Sequence, residues 1–240
     1  MGIIPAAYNP FLIFQTKIMK SIHWALGTLA WAAAFSVAAE GTTHAFEGAY
    51  IGLGLGHQNT YIDRANVRTT DGVFSFNQPN AAGQKTSGHI AVGYGFDVGQ
   101  NVNLSLNATY SFGKDRVNDS TATFFADRVQ QELSNRTALY MAPGYRVTPN
   151  TLVFVKMGLV KADQKYLRES RGVALDHSIS GTLFGVGIKH ALTPNLHIGT
   201  EVTKYNYGFH AWQTNLNPFE VIVSAKTKQA DVVFSVGYQF

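Results

Sequence analysis

The stretch Val102-Asn103-Leu104-Ser105-Leu106-Asn107-Ala108-Thr109-Tyr110-Ser111-Phe112 decides the fold. Its even positions read Val, Leu, Leu, Ala, Tyr, Phe and its odd positions Asn, Ser, Asn, Thr, Ser. Successive side chains of a β-strand point to opposite faces, so eleven residues of strict alternation make a strand with one apolar face and one small polar face. A helix would mix the two sets around its circumference.

The same period of two recurs on both sides of this segment. Ala49 to Gly56 opposes Ile51, Leu53 and Leu55 to Tyr50 and three glycines, and Thr86 to Asp97 opposes Ile90, Val92, Tyr94 and Phe96 to His89, Ala91, Gly93 and Gly95. Further segments lie at about 134–147, 152–162, 178–192, 196–209 and 230–240, the last setting Val232, Phe234, Val236, Tyr238 and Phe240 against Asp231, Val233, Ser235, Gly237 and Gln239. Eight strands result. Gly52-x-Gly54-x-Gly56 lies on one face of a strand and not at a strand-to-helix turn, so it does not read as a nucleotide loop.

The connections alternate between short and long. Val98-Gly99-Gln100, Thr148-Pro149-Asn150 and Thr193-Pro194-Asn195 are compact turn formers, whereas 58–85, 114–133, 163–177 and 210–229 are long. In an up-and-down barrel, alternate connections share a rim, so all four long ones emerge together. The expected architecture is therefore an all-β, eight-stranded antiparallel up-and-down transmembrane barrel with short periplasmic turns and four longer extracellular loops.

Alternation alone leaves open whether the apolar face points in, as in a soluble barrel around a ligand, or out into lipid. Volume argues for out, because an eight-stranded barrel has interior room only for side chains and the Gly, Ser, Asn and Thr face fits that space. Aromatic positions agree: Tyr94, Phe96, Tyr145, Tyr238 and Phe240 fall toward one rim, and Tyr110 and Phe112 toward the other, as two interfacial girdles. The composition is consistent, with 45% apolar, 12% aromatic and only 14% charged residues among 240. No cysteine is present, which excludes a disulfide scaffold, a thiolate metal site and a cysteine nucleophile. The net charge of +4 gives no support to nucleic-acid binding.

One continuous apolar run, Ile22 to Ala39, follows Lys17 and Lys20 and ends in small residues, the pattern of a secretory signal peptide. Residues 1–45 are read as this leader region and 46–240 as the barrel domain. Cleavage sites after Ala38, Ala39 and Ala45 all satisfy the small-residue rule, Ala45 being preferred, and Met19-Lys20 would make an ordinary leader start by itself.

Phe46-Glu47-Gly48-Ala49-Tyr50-Ile51-Gly52 at the opening of the first strand and Val236-Gly237-Tyr238-Gln239-Phe240 at the end of the last resemble the small OmpA-like, opacity-protein-like group of Gram-negative outer-membrane barrels, also called porin-family or surface-antigen proteins. The resemblance spans residues 46–240. It implies export to the outer membrane and contact with outer-membrane lipid and lipopolysaccharide. It also implies recognition by the barrel-assembly machinery through Tyr238 and the terminal Phe240. A peptidoglycan-binding domain, found in larger relatives, has no counterpart before residue 240.

Candidate site residues are the charges on the minor face: Arg136, Lys156, Lys189, Glu201 and Asp231. Buried ions in a narrow interior need partners, so mutual pairing is the first expectation and a gated ion path the second. Lys161, Lys165, Arg168 and Arg171 form a basic group in the third long connection, placed to contact lipopolysaccharide. Catalytic candidates are thin. His177 with Ser178 and Ser180, and His197 with Glu201, lack a complete nucleophile, base and acid set. No cofactor or metal site is expected, and no enzyme activity. The expected function is structural and surface-facing, covering envelope integrity and adhesion or host interaction through the loops. Its rivals are a narrow ion or solute channel and a lipid A-modifying enzyme.

Overall fold

The computed structural model describes residues 45–77, 81–118, 129–168, 172–216 and 219–240. Ten strands follow one another: β1 (Gly48–Thr69), β2 (Ser75–Asn77), β3 (Ala81–Asp97), β4 (Val102–Phe112), β5 (Asp115–Asn118), β6 (Val129–Thr148), β7 (Thr151–Arg168), β8 (Gly172–Ala191), β9 (Leu196–Leu216) and β10 (Phe219–Gln239). Eight of them form the wall in the order β10-β9-β8-β7-β6-β4-β3-β1, and β10 pairs back onto β1. The short β2 and β5 add to β1 and β6. Every neighbouring pair is antiparallel, and the closing register runs from Tyr50 opposite Gln239 up to Thr69 opposite Val221. Closure removes the sheet edges that would otherwise leave backbone groups unpaired in lipid.

The expected faces are the observed ones. Leu53 and Leu55 on β1, Leu106 on β4, Leu139 on β6, Leu159 on β7, Phe184 on β8 and Phe234 on β10 are all exposed on the outer wall, each by more than half of its surface. Asn103, Ser105, Asn107 and Ser111, the odd positions of the deciding stretch, are buried inside. An exposed wall of Leu, Phe and Val around a polar interior is the inverse of a soluble barrel, and it suits a lipid solvent. The aromatic positions also hold, with Tyr145, Tyr238 and Phe240 exposed at the periplasmic rim and Tyr110 and Phe112 at the other.

The long connections differ from expectation. All of 58–69 belongs to β1, 163–168 to β7, 172–177 to β8, and 210–216 with 219–229 to β9 and β10. These are hairpins whose ladders continue past the apolar band, because backbone pairing does not require an apolar face once the strands have met. Register shifts mark the upper wall, between Asp63 and Asn66, between Ser134 and Thr137, and between Lys226 and Lys228. At the second, Asn135 adopts φ of 51°, and at the third Gly208 adopts 74°. Such bulges add twist and re-aim side chains.

The periplasmic end is tight. Val98 N donates to Val102 O at 2.9 Å and Leu192 N to Leu196 O at 2.8 Å. Phe46 tucks beneath the barrel with Leu152 and Ala191, and its carbonyl accepts a hydrogen bond from Asn103 Nδ2 at 3.1 Å. Apart from Ala45, the expected leader lies outside the described residues.

Candidate functional site

The inner face carries the candidate residues, and inner glycines determine which of them can meet. Lys156 of β7 and Glu201 of β9 are separated by β8. Between them stands Gly185, where a Cβ would lie 2.9 Å from Lys156 Cε. The bare backbone leaves a lane across β8, and Lys156 Nζ donates to Glu201 Oε1 at 2.5 Å. The Lys156 ammonium also lies 4.8 Å from the Tyr140 ring centroid. At 2% exposure, Lys156 is charged in a space that water does not fill, and carboxylate and ring together replace its hydration.

Arg136 of β6 makes the second pair. Its Nη1 and Nη2 donate to the two oxygens of Asp231 on β10, a bidentate fork across the lumen. The guanidinium also donates to Gln229 Oε1 at 2.6 Å and Ser111 Oγ at 3.1 Å, and it stacks 4.1 Å from the Tyr205 ring centroid. Four donations from one planar guanidinium are thus distributed over carboxylate, amide and hydroxyl acceptors. From Ser111 the network continues to His89 Nδ1 at 2.8 Å, and His89 Nε2 meets Ser87 Oγ at 2.8 Å. Gln229 in turn donates to Thr60 and Gln58 and accepts from Tyr207.

Lys189 behaves differently from the other four. Among the described residues it has no carboxylate partner, and the charge-pairing expectation for it is corrected accordingly. Its ammonium lies over the rings of Tyr50, at 4.2 Å, and Phe154, at 5.6 Å, and donates to Tyr50 Oη at 3.2 Å. The Tyr50 hydroxyl is held by Asn107. The face of two aromatic rings substitutes for an acid.

Sequence reasoning did not single out Asp97 and Arg146, which form a third pair at 2.5 Å by the periplasmic mouth, with Arg146 Nη2 also donating to Ala45 O. The signal was available, since both stand on the inner parity of their strands beside a turn.

Little free space remains between these layers. A pocket lined by Gln58, Ser87, Ser111, Arg136, Tyr207 and Gln229 measures about 10 Å³, the room of one water. Above it Leu133, Val160, Ile179 and Leu183 pack with Tyr205 and Tyr207. At the extracellular mouth Val117 of β5 folds in against Ile62 and Ala225. The catalytic candidates do not assemble: Glu201 is engaged by Lys156, and His197 packs edge-on to Tyr50 and Phe46, with centroids 5.5 and 6.0 Å away. Ser178 Oγ donates to Asp163 at 2.9 Å on the outside.

The basic group of the third connection is split by the fold. Lys161 stands exposed on the outer wall of β7, opposite Ser180. Lys165 forms an ion pair with Asp176 of β8 at 3.2 Å. Arg168 ends β7, and Arg171 lies outside the described residues. Lys161, Lys165 and Arg168 are strand positions of a long hairpin.

A closed eight-stranded barrel with an apolar outer wall and a charged, packed interior is a transmembrane outer-membrane β-barrel. The outer membrane protein beta-barrel domain family matches residues 27–240, and this chain belongs to that family. Its location is the outer membrane. Among solved structures, OprG of Pseudomonas aeruginosa superposes with a TM-score of 0.53 at 11% identity, covering 82% of this chain and 97% of OprG. Neisserial surface protein A has a TM-score of 0.46 at 14% identity, covering 81% and 100%, and Ail, the attachment invasion locus protein of Yersinia pestis, 0.42 at 12%, covering 80% and 99%. Comparison with curated proteins finds no match.

Proposed function

We propose that this protein is a non-conducting, non-enzymatic barrel that contributes to the outer membrane as a structural element and displays its extracellular hairpins for surface contact, including adhesion. The single observation that carries the reading is the filled lumen. Arg136–Asp231, Lys156–Glu201 and Lys189–Tyr50 stand at successive levels among buried tyrosines, so an ion would have to break at least one buried pair to pass. The mobile-ligand chemistry of such a protein then belongs to the rim, where Val73 and Phe74 are exposed between β1 and β2.

Planar-bilayer recording of the purified barrel tests this. Wild-type protein should give no steady conductance, and Lys156→Met should not create one, because Glu201 then sits in a still-packed layer. Regular unitary currents in the wild type, abolished by Lys189→Met, would establish the channel reading instead. Export through the leader at 1–45 and assembly through Tyr238 and Phe240 belong to the same proposal. The two rings stack edge to face at 5.3 Å on the outer wall, and Phe240 N donates to Ala49 O at 2.9 Å. Deleting Phe240 should slow assembly and leave unfolded chain in the periplasm, read by the ratio of unshifted to heat-shifted band. An unchanged ratio contradicts the assembly role.

A further inference from the structure

The ladders of the upper wall do not all reach the same height. The β8–β9 ladder ends at the rung Thr182–Asn206. On either side of it, β7 and β8 stay paired up to Arg168–Gly172, and β9 and β10 up to Leu216–Phe219. Among the described residues, 172–181 of β8 and 207–216 of β9 are therefore extended strands with a ladder on one side only. The cause is local. Gly181 still touches β9, since a Cβ there would lie 2.5 Å from Tyr207 Cα. At the next step of β9, Gly208 takes a φ of 74° and its N–H donates to Asn206 Oδ1 at 3.2 Å. The inward parity of β9 changes there, from Tyr205 and Tyr207 below the glycine to His210 above it, and Phe209 is left 64% exposed on the outside.

Where β3 loses β4, above Gly88–Phe112, the fold refills the wall. The short β5 pairs with β6 there, and its Arg116 O and Val117 Cα lie 3.1 and 3.2 Å from the place of a Gly83 Cβ on β3. Among the described residues no strand does the same between β8 and β9. Alternate residues of a strand edge present N–H and C=O in one direction, so both margins of this seam offer backbone donors and acceptors to an added strand. The seam also opens clear of lipid. The outward residues of β8 change from Phe184 to Thr182, Ser180, Ser178 and Asp176, all exposed, so the parted backbone stands in water.

Polar atoms wait on its inner side. His210 Nε2 is buried without a hydrogen-bond partner, and so is Nε2 of Gln164, a residue only 1% exposed and in register with His177 of β8. His177 is held below the ordinary histidine value, by burial first and by the nearby His210 second, which sets the two rings close together across the parting strands. The rim carries little net charge, because Lys165 and Asp176 pair at 3.2 Å.

From these observations we infer that the β8–β9 seam is a strand-addition site that takes an extended, uncharged segment of a partner polypeptide outside the cell. Recognition of this kind draws affinity from main-chain hydrogen bonds and selectivity from alternate side chains. The kind of object that fits is shown by β5, a strand of only Asp115–Asn118 that fills the corresponding break beside β3. The segment selected alternates, with carboxamide side chains inward toward Gln164 and His210 and apolar ones outward beside Phe209. A period of two places both sets on one peptide.

The inference deepens the surface-contact reading and rests on it for a partner outside the cell. The test uses the full exported protein, purified from outer membranes in detergent, with the heat-shift on gels confirming the fold of every sample. Amide hydrogen exchange is read by mass spectrometry. The probe is a short acetylated peptide alternating Asn with Val and ending in lysines for solubility, and the control is the same peptide methylated on alternate backbone nitrogens. At a probe concentration of about ten times its Kd, exchange in 172–181 and 207–216 should slow about tenfold, with β4 unchanged. The methylated peptide should leave both runs as they were. Phe209→Ser, on the outside of the wall, should weaken binding about tenfold by removing one apolar contact, whereas Val98→Ser in a periplasmic turn should bind like wild type. Equal slowing by the methylated peptide, slowing confined to other strands, or unchanged affinity in folded Phe209→Ser protein overturns the site. Exchange in both runs as slow as in β4 before any peptide is added would show that the chain closes its own seam. Slowing that grows with protein concentration would assign the seam to a second copy, and either result overturns the partner assignment. Regular unitary currents in the bilayer recording would refute the filled-lumen reading and leave the strand addition standing, whereas absent currents with no peptide effect would refute the strand addition alone.

Discussion

Inside and outside of the same strands obey opposite rules. On β10 Phe234 is exposed to the surroundings while Asp231, three residues away, is 1% exposed and clamped by Arg136. The outer wall tolerates any apolar side chain because lipid adapts to its shape, and it needs only the absence of charge. The lumen has no fluid to adapt, so each charge requires a particular partner and each partner a particular gap. The outer face is thus specified by composition and the inner face by geometry.

Substitutions sharpen the contrast, and the largest effect is expected inside. Asp231→Ala leaves the Arg136 guanidinium buried without its carboxylate and should cost about 3 to 5 kcal/mol, read as a shift in the urea midpoint of the folded band. The double Arg136→Met/Asp231→Leu protein should recover most of that loss, since it removes both ions. A double variant as unstable as the single would mean that the lost stability resides in the surrounding hydroxyl and amide network. On the outside, Leu106→Arg places a charge against lipid and should cost about 2 to 4 kcal/mol near the bilayer midplane. Val98→Arg, in an exposed periplasmic turn, should fall near 0 to 1 kcal/mol on the same depth scale. Equal damage at the two positions contradicts the assigned faces. Among the inner substitutions a smaller effect than at Asp231 is expected at Gly185→Ala, about 1 to 3 kcal/mol by overpacking, because the added Cβ would meet Val202 O at 2.7 Å as well as Lys156. A neutral result would show that the lane across β8 is wider than the packing implies.

The faces were legible because a period of two needs only local sequence. Val102 to Phe112 sorts itself into Leu106 outside and Asn107 inside without knowledge of any neighbour. The charged residues were legible as a set for the same reason. Their partners were not, because Arg136 reaches a residue 95 positions away and the choice of Asp231 over Glu201 depends on register around the whole barrel. Lys189 was misjudged for a related reason. An ammonium can be satisfied by Tyr50 and Phe154, and a rule that seeks only acids overlooks rings. Strand ends were misplaced where polar residues continue the ladder, as at 210–216 on β9, since backbone pairing there has no apolar signature. The inner glycines were a usable clue: Gly185 and Gly187 on β8 mark where Lys156 and Phe154 of the next strand lie across the wall.

The most direct test of the account is the gel mobility of the protein from outer-membrane fractions, compared with and without boiling. A closed barrel with a lipid-facing wall predicts a membrane-pelleted band that resists detergent when unboiled and shifts on heating. A carbonate-extractable band with the same mobility in both lanes would contradict it and would mean that the apolar face points inward.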